Sequence, residues 1–229
     1  MRRHFHEELK HLRQKLLQMS FAVQEAISDS CEALFTDNEQ LASRVITKDE
    51  TINWFEIEID KTGRSLFAIG QPMAGDLRAI TMILKINTDL ERIGDHAVNI
   101  AEKTLYIKGE IPQTVSDSLQ QMAASSEKML RNALDSFLRE DVNLARNVLV
   151  NDDEVDRDNA QLYGELRDVM AKDPSAVTRG INLLMVSHNL ERIADLACNI
   201  AEDVIYMMQG REVRHHVEDH NGTVPTTAG

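Results

Sequence analysis

Residues 189–202 read NLERIADLACNIAE, and residues 89–102 read DLERIGDHAVNIAE. The two segments stand 100 residues apart and differ at four of fourteen paired positions, which leaves ten identities. Both copies keep a glutamate and an aspartate four residues apart: Glu91 with Asp95, and Glu191 with Asp195. On an α-helix this spacing places two carboxylates on one face, one turn apart. The repetition predicts that the chain contains two copies of one structural unit.

The composition favours an all-helical protein. The 229 residues include only four prolines and ten glycines, with 42% apolar and 28% charged residues. Long periodic stretches with few such breaks are typical of helices. The apolar share is that of an ordinary globular protein, and the length allows one large domain or two small ones.

Apolar residues recur at steps of three and four in six segments, which are separated by turn signals. In the first copy, helices are predicted to end near Phe35, at the Gly70-Gln71-Pro72 break and near Ile107. In the second copy, Asp141 is predicted to cap the middle helix, and Lys172-Asp173-Pro174 to end it. Because short loops make consecutive helices antiparallel, we expect an all-α fold of two tandem, similar three-helix bundles.

The domain limits follow from this pattern. The first unit, bundle one, is predicted to span residues 5–110, and the second unit, bundle two, residues 114–210. Residues 211–229 have no apolar periodicity, and we expect them to form a mobile tail.

Charge and cysteine content exclude several classes of protein. The formal net charge of −13 disfavours nucleic-acid or anionic-membrane binding, because such affinity comes from clustered Lys and Arg. No run approaches the ~18 apolar residues of a membrane span, and the first ten residues lack the apolar core of a signal peptide. Cys31 and Cys198 lie far apart, without the spacing of a zinc motif or a disulfide framework. We therefore expect a cytoplasmic protein without direct membrane insertion.

The repeated acids continue a helical face that is predicted to be buried. Leu77 and Leu84 precede Glu91 at seven-residue steps, and the second copy repeats this spacing from Val177. The preceding helix of each copy carries a matching polar stripe: Asp49, Asn53, Glu56 and Asp60 in bundle one, and Asp152, Asp156, Asn159 and Tyr163 in bundle two. Carboxylates crowded into one furrow repel one another and lose hydration, so either their pKa values rise or a cation binds.

A cation site is the interpretation that we favour for both furrows. A single Glu-x-x-x-Asp pair on a helix is more often a solvated face. Here the pair recurs at one position of an internal repeat, opposite a second acidic stripe. Oxygen ligands suit hard cations such as Mg²⁺, Mn²⁺, Ca²⁺ or iron.

Other side chains lead to simpler expectations. His96 is expected at the surface, and Cys198 is expected to be a small core residue. The basic stripe of Arg78, Lys85 and Arg92 is expected to dock an acidic partner surface.

The stretch QPMAGDLRAITMILKINTDLERIGDHAVNIAE, with its shortened echo LERIADLACNIAE, resembles the PhoU family of phosphate-signalling regulators. The resemblance covers about residues 5–216 and implies two similar three-helix bundles that associate as a homodimer. It also implies bound metal ions, which are iron or zinc in some members and magnesium or manganese in others. The implied ligands are Asp49, Asn53, Glu91, Asp95, Asp152, Asp156, Glu191 and Asp195. Asn53 departs from the acidic pattern of the family.

The same resemblance implies a negative regulator of phosphate uptake and of the phosphate-starvation response. Such a protein would link the ATPase of a phosphate ABC transporter to a membrane sensor histidine kinase, without enzymatic activity. Two alternatives stay open, a metal-free helical adaptor and a paralogue that serves another transporter. A carboxylate-bridged di-metal enzyme is disfavoured, because such bundles use Glu-x-x-His pairs and this chain has Glu-x-x-x-Asp.

Overall fold

A computed structural model describes residues 2–69 and 74–210, and they form six α-helices. The helices are α1 (Arg2–Phe35), α2 (Glu39–Ile69), α3 (Ala74–Thr104), α4 (Gln113–Arg139), α5 (Val142–Lys172) and α6 (Val177–Gln209). A 3₁₀ turn over Pro174–Ala176 leads into α6. The described residues contain no β-strand, so the predicted all-α fold is confirmed.

Local signals account for the ends of the helices. Helix α1 ends at Phe35 as predicted, whereas α3 ends at Thr104, three residues before the predicted end at Ile107. The Asp141 carboxylate accepts hydrogen bonds from the backbone N–H groups at the start of α5, as its predicted capping role requires. The Gly70-Gln71-Pro72 break and the tail at 211–229 lie outside the described residues.

The helices pack as two groups of three. Helices α1, α2 and α3 contact one another, as do α4, α5 and α6, and the two groups meet mainly along α3 and α6. One cluster of buried apolar side chains extends through both groups, from Leu12 on α1 to Ile193 on α6. The two three-helix bundles thus share a continuous core, and the domain limits at 5–110 and 114–210 stay predictions.

Helices α3 and α6 run antiparallel across the junction of the two bundles. The Lys85 ammonium forms an ion pair with Asp203, which is only 5% exposed. Further along α3, the His96 Nδ1 atom lies 2.8 Å from the Oδ1 atom of Asn189, which is also buried. Residue numbers rise on α3 as they fall on α6, so the two copies of the repeated motif lie alongside each other in opposite directions.

Several expectations about α3 and α6 are wrong. His96 is half-buried between the bundles instead of lying at the surface, and Lys85 of the basic stripe is held by α6 instead of facing a partner. Leu77 and Val177 were expected to be buried, but they are 45% and 38% exposed. Both stand in the first turn of their helices, and a seven-residue step drifts by about 20° per heptad on a straight helix.

Glycine at position 63 permits a close approach between α2 and α3. A Cβ atom added to Gly63 would lie 2.6 Å from Cδ2 and 3.1 Å from Cγ of Leu84. The added methyl group of Gly63→Ala must therefore displace Leu84, and we expect a loss of about 1–3 kcal/mol in the free energy of unfolding. Urea denaturation of the two proteins measures this difference.

Gly164 offers a matched control in the middle of α5. A Cβ atom added there meets nothing within 4 Å, so Gly164→Ala should stabilise the protein by roughly 0.5–1 kcal/mol through helix propensity alone. Equal stabilisation by both substitutions would show that Leu84 moves aside without cost.

Candidate metal sites

The predicted ligands of bundle one lie on two neighbouring helices. Asp49 and Asn53 stand one turn apart on α2, and Glu91 and Asp95 stand one turn apart on α3, which packs against α2. A Cβ atom added to Gly94 would lie 3.7 Å from the Asp49 Oδ1 atom, which places this carboxylate against α3. Asp49, Asn53 and Glu91 are half-buried, while Asp95 is exposed.

Asp49 has incomplete hydrogen bonding, as does Asn87 of the same bundle, whose Oδ1 atom is also buried without a partner among the described residues. The Asp49 Oδ2 atom accepts a hydrogen bond of 2.8 Å from the Asn53 side-chain amide. Its Oδ1 atom is buried and has no hydrogen-bond partner within the described part of the chain. Burial raises the pKa of Asp49, the Asn53 bond opposes this rise, and the Asp95 charge adds to it. A buried acceptor without a partner is costly, and a cation at Oδ1 would remove that cost.

Glu91 experiences several like charges at once. Burial is the main cause of its raised pKa, and the carboxylates of Asp95, Glu56 and Asp49 raise it further, whereas Arg92 lowers it. The acids of α2 and α3 therefore interact electrostatically across the furrow, as the sequence predicted. Such a group is relieved either by protonation or by a bound cation.

The predicted ligands of bundle two show the same mutual repulsion. Burial raises the pKa of Asp152 on α5 and of Asp195 on α6. Asp195 and Asp156 add to the rise at Asp152, and Glu191 and Asp156 add to the rise at Asp195. The structure thus brings these four acids into one furrow between α5 and α6.

Neighbouring side chains partly offset the negative charge of the acids in bundle two. The Arg192 guanidinium donates a hydrogen bond of 2.9 Å to the Asp195 Oδ2 atom. The His188 Nδ1 atom lies 3.0 Å from the Glu191 Oε2 atom. These are exposed or half-exposed pairs, which contribute little stability in water, so a cation can displace them.

Cys198 is a residue of this furrow that the sequence interpretation missed. It was expected in the core, but it is half-buried and lines the same cleft as Asp152. Burial raises the pKa of the Cys198 thiol, and the charges of Asp152, Asp195 and Glu202 raise it further. Its place three residues after Asp195 was the available signal, because residues three apart on a helix are neighbours.

The two furrows have different surroundings. Bundle two opens into a cleft of about 800 Å³ between α3 and α6, whose lining includes Asp152, Asp195 and Cys198. Asp49 in bundle one lines a smaller cavity of about 130 Å³ together with Ile52 and other residues of α1, α2 and α3. Ions can therefore reach the second furrow through open solvent.

The donor atoms fit a cation, although the side chains do not form a ready cage around one. Among residues 2–69 and 74–210, no three or more His, Cys, Asp or Glu side chains are placed to hold an ion together. Binding would require the facing carboxylates to rotate inward. The donor set of bundle one is entirely oxygen, which suits hard cations, whereas Cys198 adds a sulfur to that of bundle two.

Known proteins match both halves of this chain. Residues 16–104 and 119–204 each match the model of the PhoU domain, once in each bundle. The chain is 38% identical to the phosphate-specific transport system accessory protein PhoU homolog of Pseudomonas aeruginosa, over 92% of this chain and 88% of the relative. It is also 38% identical to the homolog of the same name from Aquifex aeolicus, over 93% of this chain and 97% of the relative.

Two solved structures share the fold of this chain. The crystal structure of PhoU from Pseudomonas aeruginosa superposes with a TM-score of 0.87 at 38% identity, covering 90% of this chain and 100% of that one. The phosphate transport system regulatory protein PhoU from Streptococcus pneumoniae gives a TM-score of 0.85 at 31% identity, covering 91% and 99%.

No helix in the described ranges is both long and apolar enough to cross a membrane. The curated relatives are named as accessory proteins of a transport system, which confirms the expectation of a protein without enzymatic activity. The double domain match, the sequence identity and the common fold show that this chain belongs to the PhoU family.

Proposed function

We propose that this protein is an accessory protein of a phosphate transport system and represses phosphate uptake and the phosphate-starvation response when phosphate is abundant. The observation that carries this proposal is the 38% identity, over more than nine-tenths of the chain, to relatives named as phosphate-specific transport accessory proteins. The identity extends over both bundles, so both halves of the molecule are similar to those relatives.

Within this role, the protein acts in the cytoplasm as a homodimeric helical adaptor. Its partners are the ATPase of the phosphate ABC transporter and a membrane sensor histidine kinase. Exposed apolar side chains on α2 support protein docking, since Trp54 is 53% and Ile57 is 62% exposed, and exposed aromatic residues are enriched at protein interfaces. Lys85, by contrast, is engaged within the molecule.

We also propose that the furrow of each bundle binds cations. Mg²⁺, Mn²⁺, iron or zinc would be held by Asp49, Asn53, Glu91 and Asp95 in bundle one and by Asp152, Asp156, Glu191 and Asp195 in bundle two. The partnerless Asp49 oxygen and the raised pKa values of Glu91, Asp152 and Asp195 support this proposal. The ions would neutralise the furrows and make their helices rigid.

The regulatory role predicts a clear genetic result. Deleting the gene should raise expression of phosphate-starvation genes in cells grown with abundant phosphate, and supplying this chain should restore low expression. Transcript measurement in the wild-type, deletion and complemented strains tests this, with an empty vector as the control. Low expression in the deletion strain would contradict the role.

The cation proposal predicts that removing two of the candidate ligands has opposite effects on stability with and without metal. In chelator, the double substitution Asp49→Asn with Glu91→Gln removes like-charge repulsion, so the melting temperature should equal or exceed that of the unmodified protein. In Mn²⁺ at about a hundred times Kd, each occupied site should add about 2.7 kcal/mol to the free energy of unfolding of the unmodified protein. The double variant should lack the part of this gain that comes from bundle one.

Calorimetry in chelator and in Mn²⁺ measures both effects. Glu50→Gln, which changes an exposed carboxylate of the same helix, serves as the control and should leave the gain unchanged. If Mn²⁺ stabilises the double variant as much as the unmodified protein, bundle one does not bind the ion through these residues.

The raised carboxyl pKa values also predict a pH dependence in chelator. The folded state binds these protons more tightly than the unfolded state, so Asp49 and Glu91 reduce stability above their raised pKa values. This loss of stability disappears as the pH falls to the ordinary pKa values of Asp and Glu, about 4. The stability advantage of Asp49→Asn with Glu91→Gln should therefore be largest at neutral pH and shrink on acidification, as urea unfolding at several pH values would show.

A further inference from the structure

We propose that two copies of this chain pair through the solvent-facing side of α2, with the two α2 helices antiparallel about a two-fold axis between Trp54 and Ile57. This inference rests on the homodimer of the proposed function. It adds to that function the surface on which the copies meet and the residues that contact each other there.

Helix α2 packs against α1 and α3 and turns a third side to solvent. Four exposed residues follow one line along that side, at steps of four, three and four, and we call them the α2 stripe: Glu50, Trp54, Ile57 and Lys61. Such steps keep side chains within one narrow stripe of a helix. The α2 stripe has the apolar centre and polar rim of a protein interface.

Trp54 is the anchor of this surface. Its indole ring contacts the ring of Phe55 edge to face, with the ring centroids 5.0 Å apart. This contact sets the orientation of the exposed ring before a partner arrives, which lowers the conformational entropy lost on binding. Tryptophan is also among the residues that contribute most to binding energy at interfaces.

The order of residues along the α2 stripe makes it complementary to itself. Glu50 stands one turn before Trp54, and Lys61 stands one turn after Ile57. When a second α2 packs antiparallel, Trp54 meets Ile57 of the second copy, and Glu50 meets Lys61 of the second copy. The two-fold axis makes each of these contacts twice.

The charges oppose the parallel arrangement. In a parallel pair, Glu50 would face Glu50 of the second copy, and Lys61 would face another Lys61, so that both ends repel. Within its own helix, the Lys61 ammonium lies 3.7 Å from the Glu58 carboxylate. Pairs that involve so exposed a lysine contribute little in water, so Lys61 can bond across the interface instead.

The internal repeat limits the pairing to two copies. The positions of α5 that correspond to the α2 stripe carry no large apolar side chain: Asp153, Arg157, Ala160 and Gly164. If both bundles carried the surface, α2 of one copy could pair with α5 of the next and form an open chain. With the surface on α2 alone, the contact is isologous and closes at the dimer.

Sedimentation equilibrium of the full chain over a series of concentrations, with chelator present, measures the dimer dissociation constant. A single pair of helices lies at the low end of interface sizes, so we expect the unmodified protein to pass from monomer to dimer within this series. Circular dichroism melting checks that each variant is folded before its sedimentation is interpreted.

The apolar centre is tested by placing a charge in it. Ile57→Asp introduces a carboxylate opposite Trp54 of the second copy, twice in each dimer, and should weaken the dimer by at least about 30-fold. Val150→Asp is the matched control, because Val150 is an exposed apolar residue of α5. It should leave the dissociation constant unchanged.

The antiparallel direction is tested by reversing charges. Glu50→Lys and Lys61→Glu each place like charges at both ends of the interface, and each should weaken the dimer by about tenfold at low salt. The double variant that carries both substitutions exchanges the two ends and should restore the dissociation constant of the unmodified protein.

Each contrary result has its own meaning. If Ile57→Asp remains as dimeric as the unmodified protein, the surface is wrong and the homodimer stands. Failure of that dimeric variant to restore low expression in the deletion strain would then assign the α2 stripe to another partner. A double charge reversal that stays as weak as the single ones overturns the antiparallel pairing.

An unmodified protein that is monomeric at every concentration overturns both this inference and the proposed homodimer. The regulatory role is measured separately, by whether the unmodified chain restores low expression in the deletion strain. Its failure is therefore distinct from failure of the pairing surface.

Discussion

The contact between α3 and α6 is the interaction on which the rest of this structure depends. Each of these helices packs against two helices of its own bundle and also against the other across the junction. Ile93 and Ile193, from the two copies of the repeated motif, are fully buried. Because three neighbours cover most of each helix, only a narrow flank faces a partly open furrow. The acids of the repeated motif occupy that flank.

This placement explains the electrostatics of both furrows. Carboxylates on the flank lose part of their hydration to neighbouring helices and also face acids on α2 or α5, so their pKa values rise. The unsatisfied Oδ1 atom of Asp49 shows the same conflict at a single acceptor. Proteins retain arrangements that oppose stability mainly where function needs them, and the proposed cations would resolve the conflict.

The same contact makes the two bundles unequal. Lys85 and His96 of α3 pair with Asp203 and Asn189 of α6. Their counterparts in the repeat are Met185 and Leu196, which cannot form such pairs. Polar interactions therefore line one side of the junction, where the large cleft lies and where the furrow of bundle two opens. The duplicated plan thus places a large cleft beside the acids of bundle two, whereas Asp49 of bundle one lines a smaller cavity.

The sequence by itself determined the six helices, the duplication and the acids that share a helical face. Helical periodicity and the capping signal at Asp141 depend on residues within a few positions, so they can be read locally. Only the tertiary structure decided that Lys85 meets Asp203, 118 residues away, and that Cys198 and Asp152 line the same cleft. A helical wheel shows which residues share a face, but packing against distant helices sets which face meets which partner and at what register. For that reason the acids that share a helical face were foreseen, whereas the pairing of Lys85 and the place of Cys198 on the cleft were not.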